Sequence, residues 1–576
     1  MAASGYEARG DNDEAPFTLR VHRGDGMALL AMNWRNGEPP DDFVGFAIEY
    51  REPGGTRYFP LTNRLTFDGD RSGNRTAAPA PSRSTLRAPI QKFRWVHFPR
   101  NAELTGPFRY RVKPVFMAAD DTLSYGESQS ASLELRRETY PGRLNVTFTR
   151  GFVSSQAFVD RWEEFGPIAT LLPDSADDGL TFVPTHPRAD DALAWMGFEA
   201  RDAILEVLDD AIRHPTAEVS VVAYDLSERD VVERLERLGP RLRIIIDDAG
   251  THGGAGSGES QAAARLVATA GAANVKRQHV GQLQHNKTIV ITGSRMHRVV
   301  CGSTNFSWRG FFVQGNNALV LSGRKAVAPF LLAFEQYWAS DSAAAFGASP
   351  AARWIDLGLN GIDAAVAFSP HSAGNAVLAE VAADIDRTTS SLFYSLAFLF
   401  QTTGAIREAV TAATAANHLF VFGLSDKRVG GFDLLSPDGN REPVSPATLD
   451  DGTVPEPFKS EPAGGGGTRL HHKFVVIDFD KPTARVYLGS YNFSPTADTK
   501  NGENLLLIKD RRVAVSYMVE AVRIYDHYRF RLAQKDAATR RDRLALKRPP
   551  RAPGEEPWWR KSYVEPSRIR DRQLFA

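Results

Sequence analysis

Residues 470–508 read LHHKFVVIDFDKPTARVYLGSYNFSPTADTKNGENLLLI, and residues 283–322 read LQHNKTIVITGSRMHRVVCGSTNFSWRGFFVQGNNALVLS. Each stretch opens on a His-x-Lys triplet, formed by His471 and Lys473 in one and by His285 and Lys287 in the other. Each carries a Gly-Ser-x-Asn further on, Gly489, Ser490 and Asn492 against Gly302, Ser303 and Asn305. Between these words run short segments of β-branched and aromatic residues, the pattern of buried strands. The interval from His285 to His471 is 186 residues, and the same interval separates Pro184 in Phe182-Val-Pro-Thr from Pro370 in Phe368-Ser-Pro-His. One offset shared by two signatures predicts an internal duplication. Upstream of the first motif, Ile204, Val207, Leu208, Ala211 and Ile212 repeat at helical spacing, and EVSVVAY and RLRIIID read as buried strands with the helix ERDVVERLERL between them. Upstream of the second, Leu378, Val381, Ala382 and Ile385 mark a helix, SLFYSLAFL and HLFVFGL mark strands, and residues 406–415 form the helix that joins them. That alternation is an α/β pattern.

The rest of the chain has a different texture. From residue 17 to about 136, FTLRV, MALLAMNW, VGFAIEYR, KFRWVHF, PFRYRVKPVF and SASLEL are short β-type runs separated by turn residues, which predicts a β-sandwich of about 100 residues. The fold expected is therefore multidomain: a flexible amino terminus (1–16), a β-sandwich (17–137), two α/β repeats (150–345 and 346–535) and a basic carboxy-terminal extension (536–576). The Gly, Arg, Ser and Pro-rich stretch 68–89 reads as a long loop within the sandwich, and the stretches after Asp248 and from Asp426 to Thr468 read as loops bordering a cleft. At 576 residues, with 42% hydrophobic and 24% charged residues, the chain has ample material for buried cores. The 69 Lys and Arg residues balance 69 Asp and Glu residues, so no global basic field marks a nucleic-acid binder. The single cysteine, Cys301, lies in the apolar run VVCGS, forms neither an intramolecular disulfide nor a cysteine metal cluster, and reads as core. The polar, acidic start of the chain lacks the form of a secretory signal, and the apolar run 391–400 is half of the roughly 20 residues that a spanning helix needs. A cytoplasmic protein without a transmembrane segment is expected.

The paired motifs resemble those of the phospholipase D superfamily, whose mark is His-x-Lys-x4-Asp followed by Gly-Ser-x-Asn, present twice. His471, Lys473 and Asp478 match in full, His285 and Lys287 match in the other copy, and Thr292 stands there in the Asp position. The resemblance covers residues 150 to 535; within the sandwich, Tyr110 and Val112 give a fainter likeness to a fibronectin type III module. Apart from the name, His and Lys at i and i+2 of a strand share a face, so two such strands can bring two histidines and two lysines to one cleft. A phosphodiester needs a nucleophile, an acid for the leaving oxygen, and cations for the remaining oxygens, all of which this set supplies without a cofactor or metal ion. The resemblance implies that one imidazole forms a phosphohistidine and the other serves as acid and base, and that Ser303, Asn305, Ser490 and Asn492 bind the phosphate. It also implies that an acidic residue, Glu503 of NGEN, supports a catalytic histidine. Placed in the same copy, Glu503 is expected behind His471, making His471 the nucleophile and His285, with only Gln314, Asn316 or Asn317 near it, the less basic acid/base.

The expected function is a metal-independent phosphodiesterase acting on a phospholipid head-group ester, favoured by the neutral charge and by Trp308, Phe311 and Phe312, an apolar segment suited to peripheral membrane contact. An endonuclease for DNA or RNA is the alternative, favoured by the tail from Lys535 onward, where twelve Lys and Arg face six Asp and Glu. A non-catalytic phosphate-binding protein is the third reading, motivated by Thr292. His472 points away from its neighbours on the strand and reads as a packed core histidine. Asp247, Asp248 and His252 read as a strand-end turn.

Overall fold

The stretch Pro107–Met117 alternates apolar and polar residues, and the strand that it forms buries Phe108, Tyr110 and Val112 on one face. The computed structural model of the chain describes residues 5–67, 83–135, 138–151, 161–426, 469–539 and 544–576. They fall into two compact units, the first built from the chain up to residue 135 together with Val515–Ala576, the second from residues between 138 and 514.

In the first unit the strands are β1 (Glu7–Arg9), β2 (Phe17–Gly24), β3 (Met27–Trp34), β4 (Phe43–Arg51), β5 (Phe59–Pro60), β6 (Thr62–Asn63), β7 (Arg83–Ser84), β8 (Arg94–His97), β9 (Pro107–Met117), β10 (Leu123–Tyr125) and β11 (Gln129–Glu134). They make a four-stranded sheet β1-β2-β3-β8 and a sheet β10-β9-β4-β5 with β11 also on β9, while β6 and β7 pair by themselves. One apolar core takes Phe17, Leu19 and Val21 from β2, Leu30 and Met32 from β3, Phe46 and Ile48 from β4, and Phe108, Tyr110 and Val112 from β9. Two expectations are corrected here. Residues 1–16 are not all flexible, because β1 pairs with β2 and Glu7 accepts hydrogen bonds from Arg20 and His22. Nor is the basic carboxy-terminal stretch a separate extension. Trp559 is buried in this same core, Trp558 stacks on Phe93 at 5.2 Å and donates its indole N–H to Phe43 O, and Arg94 bonds both Asp526 and Asp571. Burying one such aromatic side chain contributes roughly 1.5–3 kcal/mol. Several of the tail's described arginines are paired as well, Arg548 and Arg551 with Asp121 and Arg560 with Glu38.

The second unit holds two seven-stranded sheets. One contains β12 (Leu144–Phe148), β13 (Glu218–Ala223), β14 (Leu242–Ile246), β15 (Val275–Arg277), β16 (Lys287–Thr292), β17 (His297–Gly302) and β18 (Asn317–Ser322), in the order β12-β18-β17-β16-β13-β14-β15. The other contains β19 (Ile355–Asp356), β20 (Asp363–Ser369), β21 (Ser391–Leu396), β22 (Phe420–Leu424), β23 (Lys473–Ile477), β24 (Arg485–Gly489) and β25 (Glu503–Lys509), in the order β19-β20-β25-β24-β23-β21-β22. Six strands correspond in order and sense: among them the pairs β13/β14 and β21/β22 are parallel and the remaining pairs antiparallel, and β15 adds a further parallel pair on β14 in the first sheet. The helices turn their apolar stripes inward: Ala189–Arg213 through Ile204, Val207, Leu208 and Ala211, and Leu378–Asp386 through Val381, Ala382 and Ile385. The first sheet starts earlier than residue 150, since β12 is its edge strand, held by five Cα partners on β18. The stretch 68–89 and the loop after Asp426 lie, but for their ends, outside the described residues. Among the described residues no helix is long and apolar enough to cross a membrane.

Candidate active site

Lys287 and Lys473 are the first residues of β16 and β23, so each histidine of the His-x-Lys triplets stands just ahead of a central strand. Each lysine ammonium donates back to the carbonyl of its own histidine, Lys473 Nζ to His471 O at 2.7 Å and Lys287 Nζ to His285 O. The segments that lead into the two histidines cross to the opposite half. Gln282 N–H donates to Lys500 O and Gly502 N–H to Leu283 O, both at 2.8 Å; reciprocally, Gly315 N–H donates to Arg469 O at 2.7 Å and His471 N–H to Gly315 O at 3.0 Å. This exchange brings the imidazoles of His285 and His471 to 6.3 Å between ring centroids, each 4% exposed and so nearly enclosed.

It also decides which side chain stands behind each ring, and here the expectation is overturned. Glu503 Oε2 lies 2.7 Å from His285 Nδ1, in the other half, whereas His471 Nδ1 faces Asn316 Oδ1 at 2.8 Å and Ser303 O at 3.1 Å. Glu503 is the first residue of β25, which Gly502, bonded to Leu283, carries toward the first half. Sequence neighbourhood misled because the supporting residue acts across the exchange.

The Gly-Ser-x-Asn words have a backbone reason. Gly302 and Gly489 sit at φ +135° and +142°, and a Cβ on either would meet the carbonyl oxygen of Asn317 or Asn504 at 2.5 or 2.2 Å. The serines behind them are engaged within the protein. Ser303 Oγ donates to Asn316 Oδ1 at 2.9 Å and accepts from Asn317 N at 3.1 Å, and Ser490 Oγ accepts from Asn504 N at 3.0 Å. Both therefore hold the turn that carries the histidine-supporting residue. Asn305 donates from Nδ2 to Asp225 at 2.6 Å, and the Oδ1 atoms of Asn305 and Asn492 are buried without a protein partner. Asp478 belongs elsewhere. It follows the far end of β23, on the order of 16 Å of strand from Lys473, where its buried carboxylate accepts from the backbone N–H groups of Thr389, Ser390 and Ser391 at 3.0, 2.7 and 3.2 Å. It ties down the entry to β21 and has no place in the cleft; at the Thr292 position the first half does without it. Trp308, Phe311 and Phe312 are at most 4% exposed and offer no apolar lip. His472 is fully buried against Phe148 and Phe474, and burial pushes the Cys301 thiol up.

A family model described as the PLD-like domain of cardiolipin synthase matches residues 208–338 and 453–524, the two segments that carry both His-x-Lys triplets. These two segments belong to the phospholipase D superfamily. A phospholipase D of Rickettsia prowazekii is 46% identical over 48 residues, 8% of this chain and 22% of that protein, so the match spans under a quarter of its relative. Among solved structures, the phosphatidylserine synthase of Haemophilus influenzae aligns at 13% identity with TM-score 0.39 over 60% of this chain and 92% of that one. The phospholipase D family member Nuc of Salmonella typhimurium aligns at 22% identity with TM-score 0.20, over 24% and 87%.

Here the cleft crowds cationic groups into a nearly enclosed space. Burial lowers the His285 imidazole, with the Lys287 and Lys473 charges adding to it and Glu503 opposing. His471 is held well below the usual range by burial and by both lysines, with no carboxylate among the causes that oppose them. Burial brings Lys287 down to about 7 against the pull of Glu503, Asp225 and Asp247, and Lys473 also lies well below the ordinary ammonium range. His285 is thus the more basic imidazole, the reverse of the expectation. Two further carboxylates brace the site, Asp247, which the sequence placed only in a strand-end turn, and Asp426, which it placed only at the start of a loop. Asp247 Oδ1 accepts from Gln284 N at 2.6 Å and Asp426 Oδ1 from Leu470 N at 2.9 Å, each clamping the residue ahead of a catalytic-type histidine. The signal available was that each acid closes the second parallel strand of its half. Asp225, His252 and Glu259 bring donor atoms within 4.8 Å of one another, a spacing that suits a cation, but each His252 ring nitrogen already faces a carboxylate, Asp225 or Asp247.

Proposed function

We propose that this chain hydrolyses a phosphodiester without a metal ion, through a covalent phosphohistidine, and that its substrate is the head-group ester of a phospholipid. The observation that supports the chemistry is the pair of enclosed imidazoles, each oriented through Nδ1 by a residue of the opposite half. With its Nδ1 proton directed at Glu503, His285 offers the Nε2 lone pair to phosphorus, and the carboxylate stabilises the positive character that grows on the ring as the P–N bond forms. The bond from phosphorus to the leaving alcohol oxygen breaks as Nε2 of protonated His471 delivers a proton to that oxygen. His471 lacks a carboxylate partner, so once it has taken a proton from solvent, drawn by the negative charge of the bound ester, it is the stronger acid. In the second step His471 takes a proton from water, the new P–O bond forms, and the P–N bond breaks to release His285. Lys287 and Lys473 supply the charge that the nonbridging oxygens need, with the Asn305 and Asn492 amides beside them.

The lipid reading is supported by the partly exposed Phe398, whose ring stands 6.2 Å from His471 and 5.4 Å from the Lys473 ammonium and gives one side of the cleft an apolar wall. The relatives named phospholipase D point the same way. To test it, purified protein in EDTA is incubated with mixed phospholipid vesicles and, separately, with plasmid, single-stranded DNA and RNA. Release of head group without nicking is expected. Nicking without head-group release would replace lipid by nucleic acid, and silence on every substrate would leave a phosphate-binding protein.

A further inference from the structure

One half of the cleft carries a chain of polar contacts that the described residues of the other half do not repeat. Ala223 pairs with Lys287 across β13 and β16, and Leu396 with Lys473 across β21 and β23, so the residue two positions on is Asp225 in one half and Phe398 in the other. Asp225 Oδ2 accepts from Asn305 Nδ2 at 2.6 Å and from Ser307 Oγ at 3.4 Å, while its Oδ1 faces His252 Nε2 at 3.2 Å. The other ring nitrogen, Nδ1, faces Asp247 Oδ2 at 2.8 Å, and Asp247 Oδ1 accepts from the amide of Gln284, the residue before His285. The Tyr224 ring stands between the His252 and His285 rings, 4.5 and 4.6 Å from them, with the Lys287 ammonium 4.6 Å over its face.

We infer that His252 is a positioning residue, which by bridging Asp225 and Asp247 fixes the Asn305 amide and the chain leading into His285 relative to each other. The inference rests on the phosphodiesterase reading of the cleft. Two carboxylates on one ring need two N–H donors, and a neutral imidazole has only one, so the bridge requires the imidazolium. The groups that face the ring agree. Burial opposes its charge, but Asp225 and Asp247, with Glu259 behind them, outweigh burial and push the imidazole up to about 10, with Lys287 beyond Tyr224. Arg277 donates to the carbonyls of both Asp247 and His252 and so holds the backbone of the bridge. Without the bridge, Asp225 and Asp247 lose the cation that joins them, and Asn305 loses its fixed acceptor. In the second half Asp426 keeps the backbone clamp, but Phe398 stands in place of Asp225, and among the described residues that half's asparagine has no such tether.

The test reads the ring and the rate separately. Nitrogen-15 NMR of the histidine side chains follows His252 against pH in wild type and in Asp225→Asn, and the amide resonance of Gln284 is followed in His252→Ala. The rate is read as kcat and KM on a soluble bis(nitrophenyl) phosphodiester for wild type, His252→Ala and His252→Gln. Expected are a His252 ring that stays protonated to about pH 10, a fall of its titration toward about 6.5 in Asp225→Asn, and a shifted Gln284 amide in His252→Ala. His252→Ala should lose about 10- to 100-fold in kcat with KM within about threefold, and His252→Gln, which can still donate to one carboxylate, should lie between. The inference is overturned by a wild-type His252 that titrates below about pH 8, by unchanged kcat in a folded His252→Ala, by a loss that tracks the unfolded fraction in circular dichroism, or by a stoichiometric divalent ion bound to Asp225, His252 and Glu259. A wild type inactive on every phosphodiester would defeat the proposed function alone, since the NMR arms still decide whether the bridge exists.

Discussion

At the scale of single residues, the cleft depends on cations kept where water would ordinarily screen them. Lys287→Met and Lys473→Met remove one preorganised charge each, and each should lower kcat/KM on the order of 10²-fold with circular dichroism unchanged; steady-state kinetics on a soluble phosphodiester checks this. The same burial sets a pH dependence. Lys287 is brought down to about 7, so kcat/KM, which reports the free enzyme, should fall as pH rises through about 7 and the ammonium is lost. Stability should move the other way. The unfolded lysine still binds its proton up to about 10.4, so across this window the unfolded state holds more protons and this group's contribution makes the fold more stable as pH rises. Thermal melts beside rate measurements from about pH 6.5 to 9 would expose the opposite slopes. The division of labour between the imidazoles is testable too. In His471→Ala with a good leaving group, a phosphoryl adduct should accumulate on His285, detected by mass spectrometry after acid-free quenching, and Glu503→Gln should slow its formation. An adduct confined to His471 in the reciprocal His285→Ala protein would exchange the roles.

Single elements show how a conserved-looking word can hide two jobs. Of the residues in His-x-Lys-x4-Asp, the histidine precedes and the lysine opens β23 at the cleft, and the aspartate follows its opposite end, where Asp478 holds the Thr389, Ser390 and Ser391 amides. Asp478→Asn should therefore cost stability, on the order of 2–3 kcal/mol for weakened charged hydrogen bonds, and leave kcat per folded molecule within about threefold. Urea unfolding paired with active-site-normalised rates separates these effects, and a large fall in kcat without loss of stability would return Asp478 to the cleft.

For the molecule as a whole, the two ends of the chain belong to one unit. Trp558 and Trp559 fill a core made by the amino-terminal sheets, and a Cβ on Gly24 would meet Val519, so the residues after 514 are bound up with those before 136. A chain beginning at residue 138 leaves those aromatic side chains without partners, and it should aggregate or elute in the void volume. A chain covering 138–514 omits the partnerless surface and should stay monodisperse by light scattering and turn over a soluble phosphodiester. A monodisperse 138–576 would show that the tail does not need the sheets.

Much was legible beforehand because it is written in local chemistry. Periodicity located the central strands and helices, the shared interval of 186 residues paired His285 with His471, and the residue types at i and i+2 named the two lysines. Each of these depends on neighbours a few residues away or on a repeated word. The tertiary structure alone decided what depends on contacts between distant segments: that Glu503 stands behind His285 rather than His471, that Ser303 and Ser490 bind their own backbone turns, that Asp247 and Asp426 clamp the approach to each histidine, and that Trp558 and Trp559 are core. A sequence orders residues along one dimension, and the exchange of segments at Leu283 with Asn501 and at Gly315 with Leu470 reorders them in three. Motif spacing therefore determined which groups reach the cleft, and the crossing of the halves determined which of them touch.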